Sequence, residues 1–147
     1  MKKNKNSEIE AVKKEALRFY ENARELLKRG KPDYEIGIYM DIKYVQEAFG
    51  ALWLAILKAI DYRLLTAGLD FQKLPQNKKE YDIALKKLKV YNGKLKTKFD
   101  SLWKIIHVSG YYRGNIDDIK MIKDAFRSAK GFIDYLLTLK KEKLMGG

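Results

Sequence analysis

The residues best suited to chemistry lie in one short stretch in the last third of the chain. His107 is the only histidine, and Tyr111, Tyr112 and Arg113 follow it closely. An imidazole can transfer a proton near neutral pH, and tyrosine or arginine side chains in a loop can stack on bases or anchor a partner protein. A histidine near a helix C-terminus is more commonly a capping residue, and tyrosines can equally cover the end of a helical bundle. The stretch is therefore a candidate binding site, to which we assign no catalytic residue.

The common signatures of catalysis are absent from the sequence. GxGxxG, Walker and GxSxG motifs do not occur, so the usual scaffolds of nucleotide and acyl-transfer chemistry are lacking. There is no cysteine, which removes thiolate ligands and nucleophiles and favours a cytoplasmic location. A di-iron bundle needs Glu-x-x-His pairs, but Lys104 stands three residues before His107. We therefore expect no metal and no cofactor, and we lean against enzyme activity.

The segment from Asp41 to Leu65 is expected to form a central helix, because its apolar residues cover almost the whole helical circumference. Such a helix is either a core helix or a membrane span. A span needs about 20 apolar residues, and charged residues interrupt every window of that length: Glu47, Lys58, Asp61 and Arg63. We expect the buried hub of a soluble bundle, without membrane contact.

Three further amphipathic segments accompany this hub. The first begins at a capping box formed by Ser7 and Glu10 and ends at Gly30. The third begins at Asn77, keeps a helical period and ends at Gly110. The last begins at Asn115 with Asp118 and is followed by a charged tail.

One local signal disagrees with a continuous third helix. Asn92-Gly93 is the preferred two-residue turn of a β-hairpin, and the flanking residues alternate apolar with lysine. The helical period runs through this pair and favours one long helix. Whether the pair kinks the helix or forms a turn stays open.

Together these segments predict an all-α fold, an up-down-up-down four-helix bundle with the second helix at its centre. We expect a single domain over residues 1–147, with disordered tails at 1–6 and 141–147. In this topology the first and third connections lie at the same end of the bundle. The candidate binding residues that this end would bring together are Tyr39, Asp41, Lys43, Tyr44, His107, Tyr111, Tyr112 and Arg113.

The net charge of +12 favours polyanionic or acidic partners. Residues 72–104 carry ten basic and three acidic groups, a net of +7. The densest basic run lies between Lys86 and Lys98 and could follow a phosphate backbone. A solvated helix face is the alternative, because Tyr91 is the only aromatic residue inside the run.

The layout of a first helix that ends in a glycine, a tyrosine-rich connection, an alanine-rich central helix and two further helices resembles the HEPN-like bundles of bacteria. More narrowly, two motifs resemble those of a bacterial helical domain family of unknown function. They are Tyr39-x-Asp41-x-Lys43-Tyr44-Val45 and His107-x-x-Gly110-Tyr111-Tyr112-x-Gly114. The resemblance implies a helical bundle, and HEPN-like relatives include RNA-cleaving toxins and noncatalytic partners of nucleotidyltransferases. The nucleases carry an arginine followed four to six residues later by a histidine, and this sequence lacks that arrangement.

Three hypotheses about function follow. The first is a noncatalytic module that binds a protein partner or associates with itself. The second is an RNA-binding or RNA-processing module of HEPN-like type. The third is an enzyme that acts on a small molecule at the tyrosine-rich end.

Overall fold

The computed structural model describes residues 2–88 and 92–139, with side chains from residue 5 onward. These residues are mostly helical, which confirms the all-α class. The five α-helices are α1 (Lys2–Lys28), α2 (Ile42–Thr66), α3 (Lys78–Leu85), α4 (Gly93–Leu102) and α5 (Ile119–Thr138).

Two short strands lie between α1 and α2. They are β1 (Pro32–Asp33) and β2 (Ile38–Tyr39), which pair antiparallel as a small hairpin. A single turn of 3-10 helix, Phe71–Lys73, follows α2. At the end of α4 the chain continues without interruption into a π-helical segment, Trp103–Arg113.

The predicted helix count is not confirmed, because the expected third helix is divided in two. Helix α3 ends at Leu85, and α4 begins after Asn92, whose side chain accepts a hydrogen bond from the backbone N–H of Leu95 at 3.0 Å. Asparagine favours this capping position because its side chain satisfies a free donor at the helix start. Asn92-Gly93 is thus neither the middle of a long helix nor a hairpin turn. The intervening residues 89–91 are outside the described part of the chain.

Three other boundaries differ from expectation. The last helix was expected to begin at Asn115 with Asp118, but α5 begins at Ile119 and Asp118 is its N-cap. Helix α1 already includes Lys2 to Asn6, which were expected to form a disordered tail, whereas residues 141–147 lie outside the described ranges. Gly110 does not end its helix, because the π-helical segment continues to Arg113 and Gly114 then takes a left-handed conformation with φ 59°. Glycine adopts that conformation without steric cost, which makes it a suitable stop.

Helix α2 lies at the centre of the bundle, as its pattern predicts. Fourteen of its 25 residues are buried, which requires neighbours on most sides of the helix. Helix α1, the π-helical segment and α5 all pack against it. Among the described residues, no helix is long and apolar enough to cross a membrane.

Two charged residues near the end of α2, Asp61 and Arg63, are buried, which the sequence pattern did not predict. Arg63 is 1% exposed, and its guanidinium donates hydrogen bonds to the carbonyl oxygens of Leu136 at 2.8 and 3.0 Å and of Leu139 at 2.7 Å. These carbonyls belong to the end of α5, where backbone acceptors have no helical partner. Arg63 therefore ties the end of α5 to the central helix.

Candidate functional site

The structure brings the first connection and the 114–118 connection to the same end of the bundle. The backbone N–H of Tyr39 donates to the carbonyl of Asp117 at 2.8 Å, and the N–H of Ile119 donates to the carbonyl of Gly37 at 2.9 Å. Nearby, the side-chain amide of Gln46 donates to the carbonyl of Tyr111 at 2.6 Å. The hairpin, the first turns of α2 and the end of the π-helical segment are therefore joined by hydrogen bonds.

Two glycine–aromatic contacts fix the π-helical segment on α2. Gly110 lies directly against the ring of Phe49, and Gly50 lies against the ring of Tyr111, where an added Cβ would stand only 2.7 Å from a ring carbon. The π-helical segment and α2 thus each supply one glycine and one aromatic ring. Because neither glycine carries a side chain, the backbones approach closely and the tyrosine is held in place.

His107 lies inside an aromatic stack and does not cap a helix end. Its ring centroid is 5.5 Å from that of Trp53 and 6.0 Å from that of Tyr111, with both pairs stacked. Its buried Nδ1 has no hydrogen-bond partner among the described residues, and burial lowers the pKa of the imidazole. The ring is therefore held by packing on both faces, and burial favours its neutral form.

The other predicted site residues differ in exposure. Tyr39 is 6% exposed and packs against Gly30, and burial, followed by the neighbouring Tyr34 hydroxyl, raises its pKa. Asp41 and Tyr44 are half-buried, and Asp41 occupies the N-cap position of α2, where its carboxylate accepts no capping hydrogen bond. The side chains that reach the solvent are Lys43, Tyr111, Tyr112 and Arg113.

The same end carries a set of exposed apolar side chains, of which only Tyr112 was a predicted site residue. Among the described residues, the four most exposed large hydrophobic side chains are Tyr112 (76%), Tyr34 (70%), Ile36 (63%) and Met40 (58%). We name these four residues the tip surface. Three of them, Tyr34, Ile36 and Met40, stand in the connection that forms the hairpin. Apolar residues among turn-forming residues were visible there in the sequence and could have indicated an exposed apolar surface.

A cleft between α1 and α5 was not predicted at all. It has a volume of about 690 Å³ and reaches the hairpin, so that Tyr34 and Tyr39 are among its lining residues. We name it the α1–α5 cleft. Its basic side chains recur at helical spacing on both helices, but no pattern along either helix indicates that these two faces meet.

No group of three or more histidine, aspartate and glutamate side chains in the described ranges is arranged to hold a metal ion. The described site residues therefore offer exposed aromatic and aliphatic contacts, a few charges and a basic cleft. This is chemistry suited to binding.

Comparisons with known proteins agree on an uncharacterised family. A protein of unknown function from Dyadobacter fermentans has a similar solved structure, with a TM-score of 0.66 and 25% sequence identity, covering 88% of this chain and 95% of that chain. The curated proteins give no match. Residues 11–138, which span most of α1 to the end of α5, match the family described as "Domain of unknown function (DUF5618)". The chain therefore belongs to the DUF5618 family.

Proposed function

We propose that the protein is a single noncatalytic binding domain that docks a partner protein on its tip surface. The observation that carries this proposal is that the most exposed large apolar side chains of the described residues, Tyr34, Ile36, Met40 and Tyr112, all belong to the connections at one end of the bundle. Apolar side chains gathered on a surface commonly mark interaction sites. Tyrosines also dominate the energetics of many protein interfaces.

The tip surface is also held ready for binding. The hairpin is fixed by backbone hydrogen bonds from Tyr39 to Asp117 and from Ile119 to Gly37, and Asp33 accepts hydrogen bonds from the backbone N–H groups of Glu35 and Ile36. A surface that is ordered before binding loses less conformational entropy in the complex. Burying each exposed apolar side chain there would contribute roughly 1.5–3 kcal/mol before the costs of association are subtracted.

Charges around the tip favour a protein over a polyanion. The exposed side chains at this end include acidic Glu35, Asp117 and Asp118 beside basic Lys43 and Arg113. Mixed charges around an apolar centre are typical of protein interfaces, whereas nucleic-acid interfaces are strongly positive. The partner is either a different protein or a second copy of this chain.

The test compares two triple variants. The tip variant carries Ile36→Ser, Met40→Ser and Tyr112→Ser, and the control carries Ile83→Ser, Leu54→Ser and Tyr135→Ser, three exposed apolar side chains outside the tip surface. Self-association is measured by sedimentation velocity, and partners are captured from native lysate. We expect the tip variant alone to lose its oligomer or its specific partner while its melting temperature stays close to that of the wild type. Equal binding by the wild type and both variants would contradict the proposal, as would a monomeric wild type that captures nothing specific.

RNA binding is a second candidate, favoured by the basic run from Lys86 to Lys98. The side chains of Lys86, Lys87 and Lys94 are exposed and form no ion pair with the described residues, whereas Lys96 pairs with Asp100 at 3.1 Å. Lys89 lies outside the described ranges. Binding of a fluorescent single-stranded RNA at low salt, where counterion release is most favourable, tests this candidate. No affinity under those conditions would eliminate it.

A HEPN-like relationship is likewise proposed here, supported by the buried central helix and the tyrosine-rich connection before it. The third hypothesis, an enzyme acting at the tyrosine-rich end, is not carried forward. His107 would be its acid or base, but its Nδ1 is buried without a partner among the described residues, so only Nε2 is left to exchange a proton with a ligand.

A further inference from the structure

We propose that the α1–α5 cleft is a separate binding site for a small organic anion that has a flat apolar part. The cleft adjoins the tip surface at Tyr34, which belongs to both, but its charge is different because its lining is basic. Three of its features support the proposal: the floor of the cleft, its basic rim and its size.

The floor of the cleft is aromatic and apolar. Tyr20 of α1 and Phe126 of α5 lie side by side, with their ring centroids 6.4 Å apart and their planes tilted by 53°, and Leu27 and Tyr39 complete the apolar lining. Tyr39 and Phe126 are each 6% exposed, so their positions are fixed by the core. A flat ring that enters here would contact mainly the half-buried side chains of Tyr20 and Leu27.

The rim of the cleft is cationic. Among the side chains that line it none is acidic, while five are basic: Arg24, Lys28, Lys123, Arg127 and Lys130. Lys123 forms no ion pair with the described residues, and its Nζ lies 5.2 Å from the ring centroid of Tyr34. The Nζ of Lys130 lies 5.4 Å from the ring centroid of Tyr20. The ammonium of Lys130 thus stands beside the aromatic floor, and that of Lys123 stands beside the more exposed ring of Tyr34.

The remaining basic groups are engaged only in weak surface pairs. Arg24 pairs with Glu21 at 3.5 Å, and Arg127 pairs with Asp124 at 3.2 Å, each a neighbour on its own helix. Lys28 and Lys130 have similar helical partners. Exposed pairs of this kind add little stability. An anion in the cleft can therefore draw these basic groups toward itself at small cost.

The dimensions of the cleft favour a compact ligand. On α5 its lining runs from Lys123 to Gly131, about 12 Å along the helix at ~1.5 Å per residue. Pro32 and Tyr34 of the hairpin region line the end near Lys123. The volume of about 690 Å³ lies within the roughly 300–1,000 Å³ of small-molecule sites.

The test uses anilinonaphthalene sulfonate, a flat fluorescent anion, as the probe for the full chain. The cleft variant carries Lys123→Gln and Arg127→Gln. The control carries Lys79→Gln and Arg18→Gln, which remove the same charge from exposed positions outside the cleft, and Arg18 has a helical partner just as Arg127 does. We expect the cleft variant to bind the probe about tenfold or more weakly, whereas the control binds as the wild type does.

Two further measurements distinguish binding in this cleft from nonspecific binding of the probe elsewhere on the protein. Naphthoate should displace the probe at a concentration about tenfold or more below that of uncharged naphthamide, and Tyr20→Ala should weaken the binding of both. The tip variant should bind the probe as the wild type does, so failure of the proposed function would leave this result unchanged. The inference is overturned if the cleft and control variants bind equally, if naphthoate and naphthamide displace equally, or if an RNA or an acidic peptide displaces the probe at lower concentration than naphthoate.

Discussion

Gly110 packs so closely against the ring of Phe49 that even a methyl group at position 110 would overlap it. Phe49 is completely buried, so its ring cannot move aside without disturbing the core. This contact holds the end of the π-helical segment against α2 and thereby positions Tyr111 and Tyr112. The arrangement of the tyrosine-rich end is therefore set by packing inside the bundle.

Gly110→Ala is expected to lower the free energy of unfolding by about 1–3 kcal/mol, because overpacking a close contact forces the neighbouring side chain from its position. Gly93→Ala is the control, since an added Cβ there meets no atom within 4 Å. At the start of α4 alanine should keep or raise the stability by up to about 1 kcal/mol. Urea unfolding of both variants measures the difference, and equal stabilities would contradict the packing account.

Asp61 should make the stability depend on pH in an unusual direction. It is 7% exposed and accepts a hydrogen bond from the hydroxyl of Tyr81 at 2.8 Å, and burial raises the pKa of its carboxyl from 3.8 to about 6. The folded chain therefore holds this proton more tightly than the unfolded chain. Its contribution to stability is largest below about pH 4, decreases as the pH rises to about 6, and is lost above that.

Asp61→Asn removes the titration while its side-chain carbonyl can still accept the Tyr81 hydrogen bond. At pH 7.5 we expect the variant to equal or exceed the wild type in stability, by up to roughly 3 kcal/mol for a pKa shift of this size. The difference between wild type and variant should change between pH 4 and 6. A difference that does not change with pH would refute this assignment.

Arg63→Ala should strongly destabilise the protein. The substitution leaves the buried carbonyl of Leu136 and the half-buried carbonyl of Leu139 without the guanidinium that now donates to them. Each unsatisfied buried acceptor costs about 1–3 kcal/mol, so we expect a loss of roughly 3 kcal/mol or more in thermal unfolding. Arg63→Lys should recover only part of this loss because one amine cannot reproduce the planar fork. A variant as stable as the exposed control Arg18→Ala would show that the contact is dispensable.

His107→Phe should stabilise the protein, since phenylalanine keeps the stack on Trp53 and removes the buried Nδ1 that lacks a partner among the described residues. We expect a gain of about 1 kcal/mol at neutral pH. Because burial lowers the pKa of His107 below 6.5, the unfolded wild type binds the proton more readily, and its stability falls as the pH drops below about 6.5. The variant should lack this acid-sensitive component between pH 7 and 5. If the variant is less stable than the wild type, the imidazole makes a polar interaction that stabilises the fold, and this prediction is wrong.

The features that sequence reasoning recovered depend on periodicity and local capping. The central position of α2 follows from its apolar circumference, and the side chain of Asn77 caps α3 through the N–H group of Glu80, as expected. The cap of α5 is Asp118, three residues after the expected start at Asn115. The division of the third helix was missed because the apolar period continues through Asn92. There the asparagine side chain accepts a hydrogen bond from a backbone N–H and so starts a new helix, which the apolar period does not show.

Other features depend on contacts between distant segments. The π-helical segment is stabilised where Gly110 meets Phe49, and the burial of Arg63 requires the carbonyls at the end of α5. Neither contact is visible in a pattern along one helix. The α1–α5 cleft was missed for the same reason, because the face that carries Arg24 becomes a site only when α5 supplies Arg127.

The most direct test of the central claim places a photo-crosslinking aromatic residue, benzoylphenylalanine, at Tyr112 in one sample and at Tyr135 of α5 in another. Both side chains are exposed, at 76% and 42%, but only Tyr112 belongs to the tip surface. After irradiation of cells that naturally make the protein, docking at the tip surface predicts one discrete crosslinked partner, or a crosslinked dimer, from position 112 and none from position 135. No adduct at position 112, or the same adduct from both positions, would contradict docking at the tip surface.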